Sequence, residues 1–366
     1  MAFDPITYAE VQKMALRIGV LGPVVMERIT RTATLIEVPF GCIMEIHAVG
    51  GSASGAVGAG AAVLVTGAGA AEYAYKVMKV TAGSTYVVYP GAGGASNVAA
   101  ANGPALDGKS GSNTVITGPG LNMIVMGGGG GRTATAASSP YIPGGLGGTG
   151  GTGGDFHIPG GDGGSIAAGC KGNIATGGGA VGLLLTPAVQ RSGGNVQLAF
   201  GASAGWYAMT GGAGLGGTGG TLTSLASNGA QTAGGGSGGS ATDDVLGSAV
   251  DAPGANYAGD SVQASPAWPG LVESTPFRQD IFGGGGANAS LAAGGPGGGS
   301  GGAYNITIAA GAFAGPGGIC FQSPAVYASL AGNYGASASI VNYYGGYSVS
   351  SGAGAPGIVA IRLRRV

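Results

Sequence analysis

Charge is what this chain has least of. Lys and Arg number 14 and Asp and Glu 15 among 366 residues, 8% together, for a net charge of −1. Nucleic-acid binding needs a basic stripe that displaces counterions, whereas these charges are scattered. Their one cluster, Arg362, Arg364 and Arg365, reads as the solvated end of a last strand. No nucleic-acid partner is expected. Cysteine is nearly missing too. Cys42, Cys170 and Cys320 are an odd number, far apart, with no C-x-x-C pair. That excludes a disulfide framework and a zinc knuckle, and points to buried free thiols. The opening MAFDPITYAEVQK has neither a basic n-region nor an apolar h-region, so no signal peptide is expected. Residues 50–71 are uncharged and long enough to cross a bilayer, but they are mainly Gly, Ala and Ser. Such residues gain little on leaving water, so no membrane insertion is expected.

Glycine is what the chain has instead. Its 85 glycines and 18 prolines fill more than a quarter of the sequence, a level usual for low-complexity chains. A mean hydropathy of +0.34 and the scarcity of charge run against disorder, so the glycine is expected to be ordered. It also has a period. Residues 144–155 are four successive Gly-Gly-X triplets, with Leu146, Thr149, Thr152 and Asp155 at X, and the pattern returns at 160–165, 216–221 and 235–240. Collagen takes one glycine per triplet with abundant proline and is excluded. Three residues per turn is the geometry of the extended polyproline-II helix, which has no internal hydrogen bonds. With two faces bare, such helices approach closely and satisfy their backbone groups on one another. The competing reading is a flexible linker; separate runs interleaved with apolar loops favour a packed bundle.

Three parts follow along the chain. Residues 1–30 read as an N-terminal helical segment for attachment or oligomerisation. Thr7 and Glu10 have capping-box spacing after Pro5, Tyr8, Val11, Ala15 and Ile18 share a helical face, and Gly19 and Gly22 are stop signals. Residues 31–126 read as a β-strand framework. Strands are expected at 34–38 and 43–49 around Pro39-Phe40-Gly41, and at 121–126. A hairpin is expected from 72–80 and 84–89 about the turn Thr81-Ala82-Gly83. Residues 127–366 read as the glycine-rich, polyglycine-II-type domain, with aromatic loops and a closing strand at 357–363. The fold class expected is mainly β with extensive irregular structure, a short N-terminal helix and a bundle of polyglycine-II-like helices.

Three motifs invite a catalytic or ligand reading. Residues 103–110, GPALDGKS, match the phosphate-binding loop pattern, but Gly111-Ser112-Asn113-Thr114-Val115 leads into a strand where that loop needs a helix. Residues 201–205, GASAG, match a nucleophile elbow, yet both histidines, His47 and His157, precede the serine instead of following it. Residues 150–158 resemble one calcium-binding nonapeptide, with His157 where an apolar residue belongs and no tandem copy. Asp155, Asp162, Asp243, Asp244 and Asp251 read as solvated loop acids. No catalytic residue, cofactor or metal is expected.

The order of strands carries a resemblance. VPFG at 38–41, a strand ending in VGG at 49–51, YAYKVMKVTAGSTYVVYPGAGG at 73–94, LNMIVMGGGGG at 121–131 and GAPGIVAIRL at 354–363 follow one another. This resembles the glycine-rich domain of phage tail fibres and related virion proteins, over residues 31–366. The run at 50–69 is diluted by Ala and Val, and residues 1–30 lie outside the likeness. The resemblance implies a β framework with a polyglycine-II bundle at the host-facing part of a trimeric fibre.

The expectation is therefore a bacteriophage structural virion protein, a tail fibre or tail-tip subunit for host attachment and not an enzyme. It would be made in the host cytoplasm and found in the virion. It would form a homotrimer, join other tail proteins through residues 1–30, and bind a cell-surface glycan or outer-membrane protein. The aromatics Trp206, Tyr207, Trp268, Tyr343, Tyr344 and Tyr347 are the receptor-binding candidates, each weighed against loop core packing. Two alternatives stand beside this. One is a virion cap, head-fibre or decoration protein without receptor contact. The other is a bacterial adhesin or ice-binding-like glycine rod, which a flat face of Thr149, Thr152, Thr218 and Thr221 would support.

Overall fold

A computed structural model describes residues 23–59, 63–100, 102–135, 141–170, 173–181, 191–197, 207–210 and 351–365, with isolated residues and short strands between 212 and 350. The described chain is mainly β. In chain order the strands are β1 (Val24–Thr30), β2 (Thr34–Glu37), β3 (Cys42–Val49), β4 (Val57–Ala59), β5 (Val63–Val65), β6 (Tyr73–Val80), β7 (Thr85–Tyr89), β8 (Val98–Ala99), β9 (Thr114–Gly118), β10 (Leu121–Val125) and β11 (Thr133–Thr135). Then come β12 (Phe156–Ile158), β13 (Asn173–Ala175), β14 (Tyr207–Met209), β15 (Ala230–Thr232), β16 (Ala303–Asn305), β17 (Ala312–Ala314), β18 (Cys320–Phe321), β19 (Ile340–Asn342), β20 (Val349–Ser350) and β21 (Ile358–Arg364). No α-helix occurs among the described residues, and none of their segments is a helix long and apolar enough to cross a membrane.

Two antiparallel sheets, ordered β1-β21-β3-β6-β12 and β10-β9-β7-β2, enclose the main core. Alternate residues of a strand point to opposite faces. Cys42, Met44, Ile46 and Ala48 of β3 therefore face inward with Val359, Ile361 and Leu363 of β21. They meet Ile36, Tyr86, Val88, Ile116, Met123 and Val125 of the opposite sheet. Burying each of the larger side chains contributes about 1.5–3 kcal/mol. Cys42 is a buried free thiol, as expected, and Cys170 is buried as well.

The expected hairpin at 72–89 is a correction. Both strands exist, but β6 belongs to the first sheet and β7 to the second. The link from β2 to β3 crosses beside it. Val38 N–H donates to the Ser84 carbonyl at 2.9 Å, and Gly83 N–H to the Val38 carbonyl at 2.8 Å. Two adjacent crossings let Val80 and Met44 of one sheet face Tyr86 and Ile36 of the other; a hairpin would place β7 in the first sheet and remove the strand that joins β2 to β9. The true hairpin is β9–β10, where Gly120 takes the left-handed conformation at φ +69.

Residues 24–30 are a second correction. They fall within the segment expected to be helical but form β1, whose Val24, Val25, Ile29 and Thr30 are β-branched and suited to a strand. The expected helix positions Tyr8, Val11, Ala15 and Ile18 lie outside the described residues. The expected closing strand is β21, and it sits inside the first sheet, between β1 and β3.

Glycine-rich segments leave the sandwich and bond to one another through the backbone. Residues 66–70 exchange bonds with five other segments. Ala53 N–H donates to Gly69 O, Gly69 N–H to Gly129 O, Gly145 N–H to Gly67 O, Ala70 N–H to Gly161 O, and Gly179 N–H to Ala68 O. The bonds recur every third residue. Thr66 and Gly69 donate to Arg132 and Gly129; Gly145 and Gly148 donate to Gly67 and Ala70; Gly161 and Gly164 donate to Ala180 and Gly177.

Side chains extend this pattern. The Asn113, Ser110 and Asp107 side chains accept from the amides of Gly127 (3.0 Å), Gly130 (3.4 Å) and Thr133 (2.7 Å). Both series step by three, in opposite directions. The stretch that mimics a phosphate-binding loop is thus one rail of a ladder. Its Gly108 amide donates to Gly131 O and its Lys109 amide to Ser54 Oγ, and β9 follows where a phosphate loop has a helix. We expect Asp107→Ala, which also deprives the Thr133 hydroxyl of its acceptor, to lower unfolding stability by about 1–2 kcal/mol. Lys109→Ala, with an exposed side chain, should stay within about 0.5 kcal/mol. Equal effects of the two in urea unfolding would refute the ladder.

Candidate functional site

Three adjacent strands of the first sheet carry polar residues at i and i+2: Glu45 and His47 on β3, Tyr73 and Tyr75 on β6, Arg362 and Arg364 on β21. Period two puts each pair on one face, the face opposite the main core. Register then aligns them: Glu27 opposes Arg362, Arg362 opposes Glu45, and His47 opposes Tyr75. Glu45 and His47 are 0% exposed. Apolar alternation alone predicts no such cluster; the signal was E-x-H, Y-x-Y and R-x-R in three largely apolar strands.

Glu45 is the hub. Arg364 Nε donates to its Oε2 at 2.7 Å, Tyr75 Oη–H to its Oε1 at 3.3 Å, and His47 Nε2 lies 3.2 Å from the same oxygen. Burial by itself raises this carboxyl, but the bonds and charges of His47 and Arg364 outweigh it and hold the group down at about 2. His47 is pushed down, first by burial and then by the Arg362 and Arg364 charges, against the upward pull of Glu45. The ring is therefore neutral at pH 7. Nε2–H donates to the ionised Glu45, and Nδ1 accepts from Tyr73 Oη–H at 2.7 Å. Arg362 Nε donates to Glu27 at 3.0 Å. The arginines expected to be solvated are largely buried ion-pair partners, which corrects the reading of that cluster; only Arg365 is exposed. Chemically, the cluster is an oriented, water-shielded network of ion pairs and hydrogen bonds that links β1, β21, β3 and β6.

A second polar centre closes one side of the sandwich. The Glu72 carboxylate, buried, accepts from Met126 N–H (2.9 Å) and Gly151 N–H (3.1 Å), with His157 Nδ1 at 3.2 Å. Asp155 is occupied by Lys76 Nζ at 2.6 Å and Val77 N–H at 2.8 Å, and Asp162 by Gly147 N–H at 2.6 Å. Among the described residues, no three His, Cys, Asp or Glu side chains are grouped to hold a metal.

The receptor candidates are not brought together in what the structure describes. Tyr207 begins β14, in register with Asn173 and Ala230. Trp206, Trp268, Tyr343, Tyr344 and Tyr347 lie outside the described residues, as do Asp243, Asp244, Asp251 and residues 201–205. Exposed aromatics do occur elsewhere: Tyr141 is 61% exposed, Tyr89 54% and Phe40 38%. Sequence reasoning did not single them out. No protein-family model matches the chain, and no curated protein matches it.

Proposed function

We propose that this protein is a structural subunit of a phage particle, a tail fibre or tail-tip protein whose glycine segments are polyglycine-II-type helices. The observation that carries the proposal is the bonding around residues 66–70. A sheet strand has two hydrogen-bonded neighbours, one on each edge; this segment has five, reached at three-residue intervals. Threefold extended helices direct their peptide groups radially and suit that arrangement. Helices held on all sides are stiff, and a stiff support lowers the ordering cost when its loops bind a surface. The resemblance of this sequence's order of strands to the glycine-rich domain of phage tail fibres adds to this reading.

In this proposal residues 1–30 join the chain to its neighbours in the particle, and three copies assemble. The loops carrying Trp206, Tyr207, Trp268, Tyr343, Tyr344 and Tyr347 meet a host glycan or outer-membrane protein. The test is binding of the purified full-length protein, its oligomeric mass measured, to intact cells of the particle's host, in competition with infection. Saturable binding by a trimer that blocks infection, reduced at least tenfold in Trp268→Ala or Tyr343→Ala, is the expected result. A folded oligomer that binds no host cells would sink the attachment role.

A further inference from the structure

Residues 150–155 form a strap between the two sheets. Thr152 exchanges backbone bonds of 2.8 and 2.9 Å with Ile124 of β10, at the edge of the second sheet. Asp155 N–H donates to Tyr75 O at 2.7 Å, and β12 then pairs with β6 at the edge of the first. Gly150 and Gly153 take φ of +86 and +83, so the strap turns twice within this span. Its middle is held by Glu72, which accepts from Gly151 N–H, and by His157, whose Nε2 accepts from Gly154 N–H at 3.0 Å. A backbone amide only donates, so Nε2 carries no proton and the ring's proton is on Nδ1, facing Glu72 Oε1 at 3.2 Å.

We infer that His157 is a proton-operated latch for this strap: protonation at Nε2 expels the Gly154 amide while Nδ1–H stays on Glu72. The His157 side chain is 20% exposed, so protons reach it from solvent. Glu72 is the charged group facing the ring. Asp155 on the strap is paired with Lys76 of β6, and Asp162 on the neighbouring glycine segment accepts from Gly147. Thr152 and Asn122, from the strap and β10, are uncharged. The proton therefore changes one bond: Nε2 passes from acceptor to donor, two donors face each other, and the 153–155 turn loosens. Gly151 keeps its bond to Glu72.

The experiment is backbone hydrogen exchange of the full chain, read by mass spectrometry on peptides within 150–158. It runs from about pH 8 to about pH 5, the span in which histidine changes charge, with rates corrected for intrinsic exchange. Exchange of the ring's C2–H reports protonation in the same samples. The expected result is a loss of Gly154 protection of about tenfold that follows ring protonation, with Gly151 unchanged. In His157→Gln, whose amide offers both a donor and an acceptor without titrating, Gly154 should stay protected throughout. Gly154 protection that is flat across the range, or an acid loss equal in His157→Gln, would overturn the latch.

Discussion

Gly67→Ala and Gly163→Ala each destabilise the protein by about 3 kcal/mol or more, the upper end for overpacking, and Gly41→Ala changes stability little. A Cβ on Gly67 would stand on the carbonyl oxygen of Gly177, and one on Gly163 on that of Gly67. Both obstacles are backbone in segments that are themselves bonded to several neighbours, so neither yields by a side-chain rotation. On Gly41, which is exposed, a Cβ would find the Val80 carbonyl at 3.9 Å, an ordinary contact. Thermal and urea unfolding of the three variants measures the contrast. Near-equal stability of all three would mean that the glycine segments do not pack as described.

Glu45→Gln costs about 3–5 kcal/mol at pH 7, because it leaves Arg364 buried beside a group that no longer balances its charge. The acid response follows from the same network. A carboxyl held at about 2 when folded, against 4.5 as its ordinary value, contributes stability that is complete above about 4.5 and lost as pH falls through about 2, roughly 3 kcal/mol in all. His47 acts in the same direction at higher pH. Burial lowers its folded value from 6.5, so below that value the unfolded chain binds a proton that the folded chain excludes, and stability falls. Urea midpoints should therefore drop progressively from about pH 6.5 towards pH 2. Glu45→Gln should retain the upper part of the fall and lose the lower part. Identical pH profiles in native protein and variant would rule out Glu45 as the acid-sensitive group.

The alternation at 43–49 was readable along the chain, because side-chain direction in a strand is set by local sterics with period two. So was the three-residue beat of the glycine runs. The face that carries Glu45 and His47 was also implied by that alternation, but its meaning was not. Glu45 meets Arg364 across 319 residues of chain, and nothing local to either shows the other. The failed hairpin has a similar cause. Thr81-Ala82-Gly83 turns the chain, yet whether β7 returns beside β6 or crosses to another sheet depends on where Ile36, Met44 and Tyr86 find a common core.

What the sequence determined by itself, then, is where β2, β3, β6, β7, β10 and β21 lie, and that bare glycine backbones recur every third residue. Tertiary structure alone decided which strands share a sheet, that β21 lies inside the first sheet, and that Arg362 and Arg364 are buried. Pairing and ion-pair partners are settled by contacts between distant segments, whose gain appears only after the intervening chain has been closed into loops.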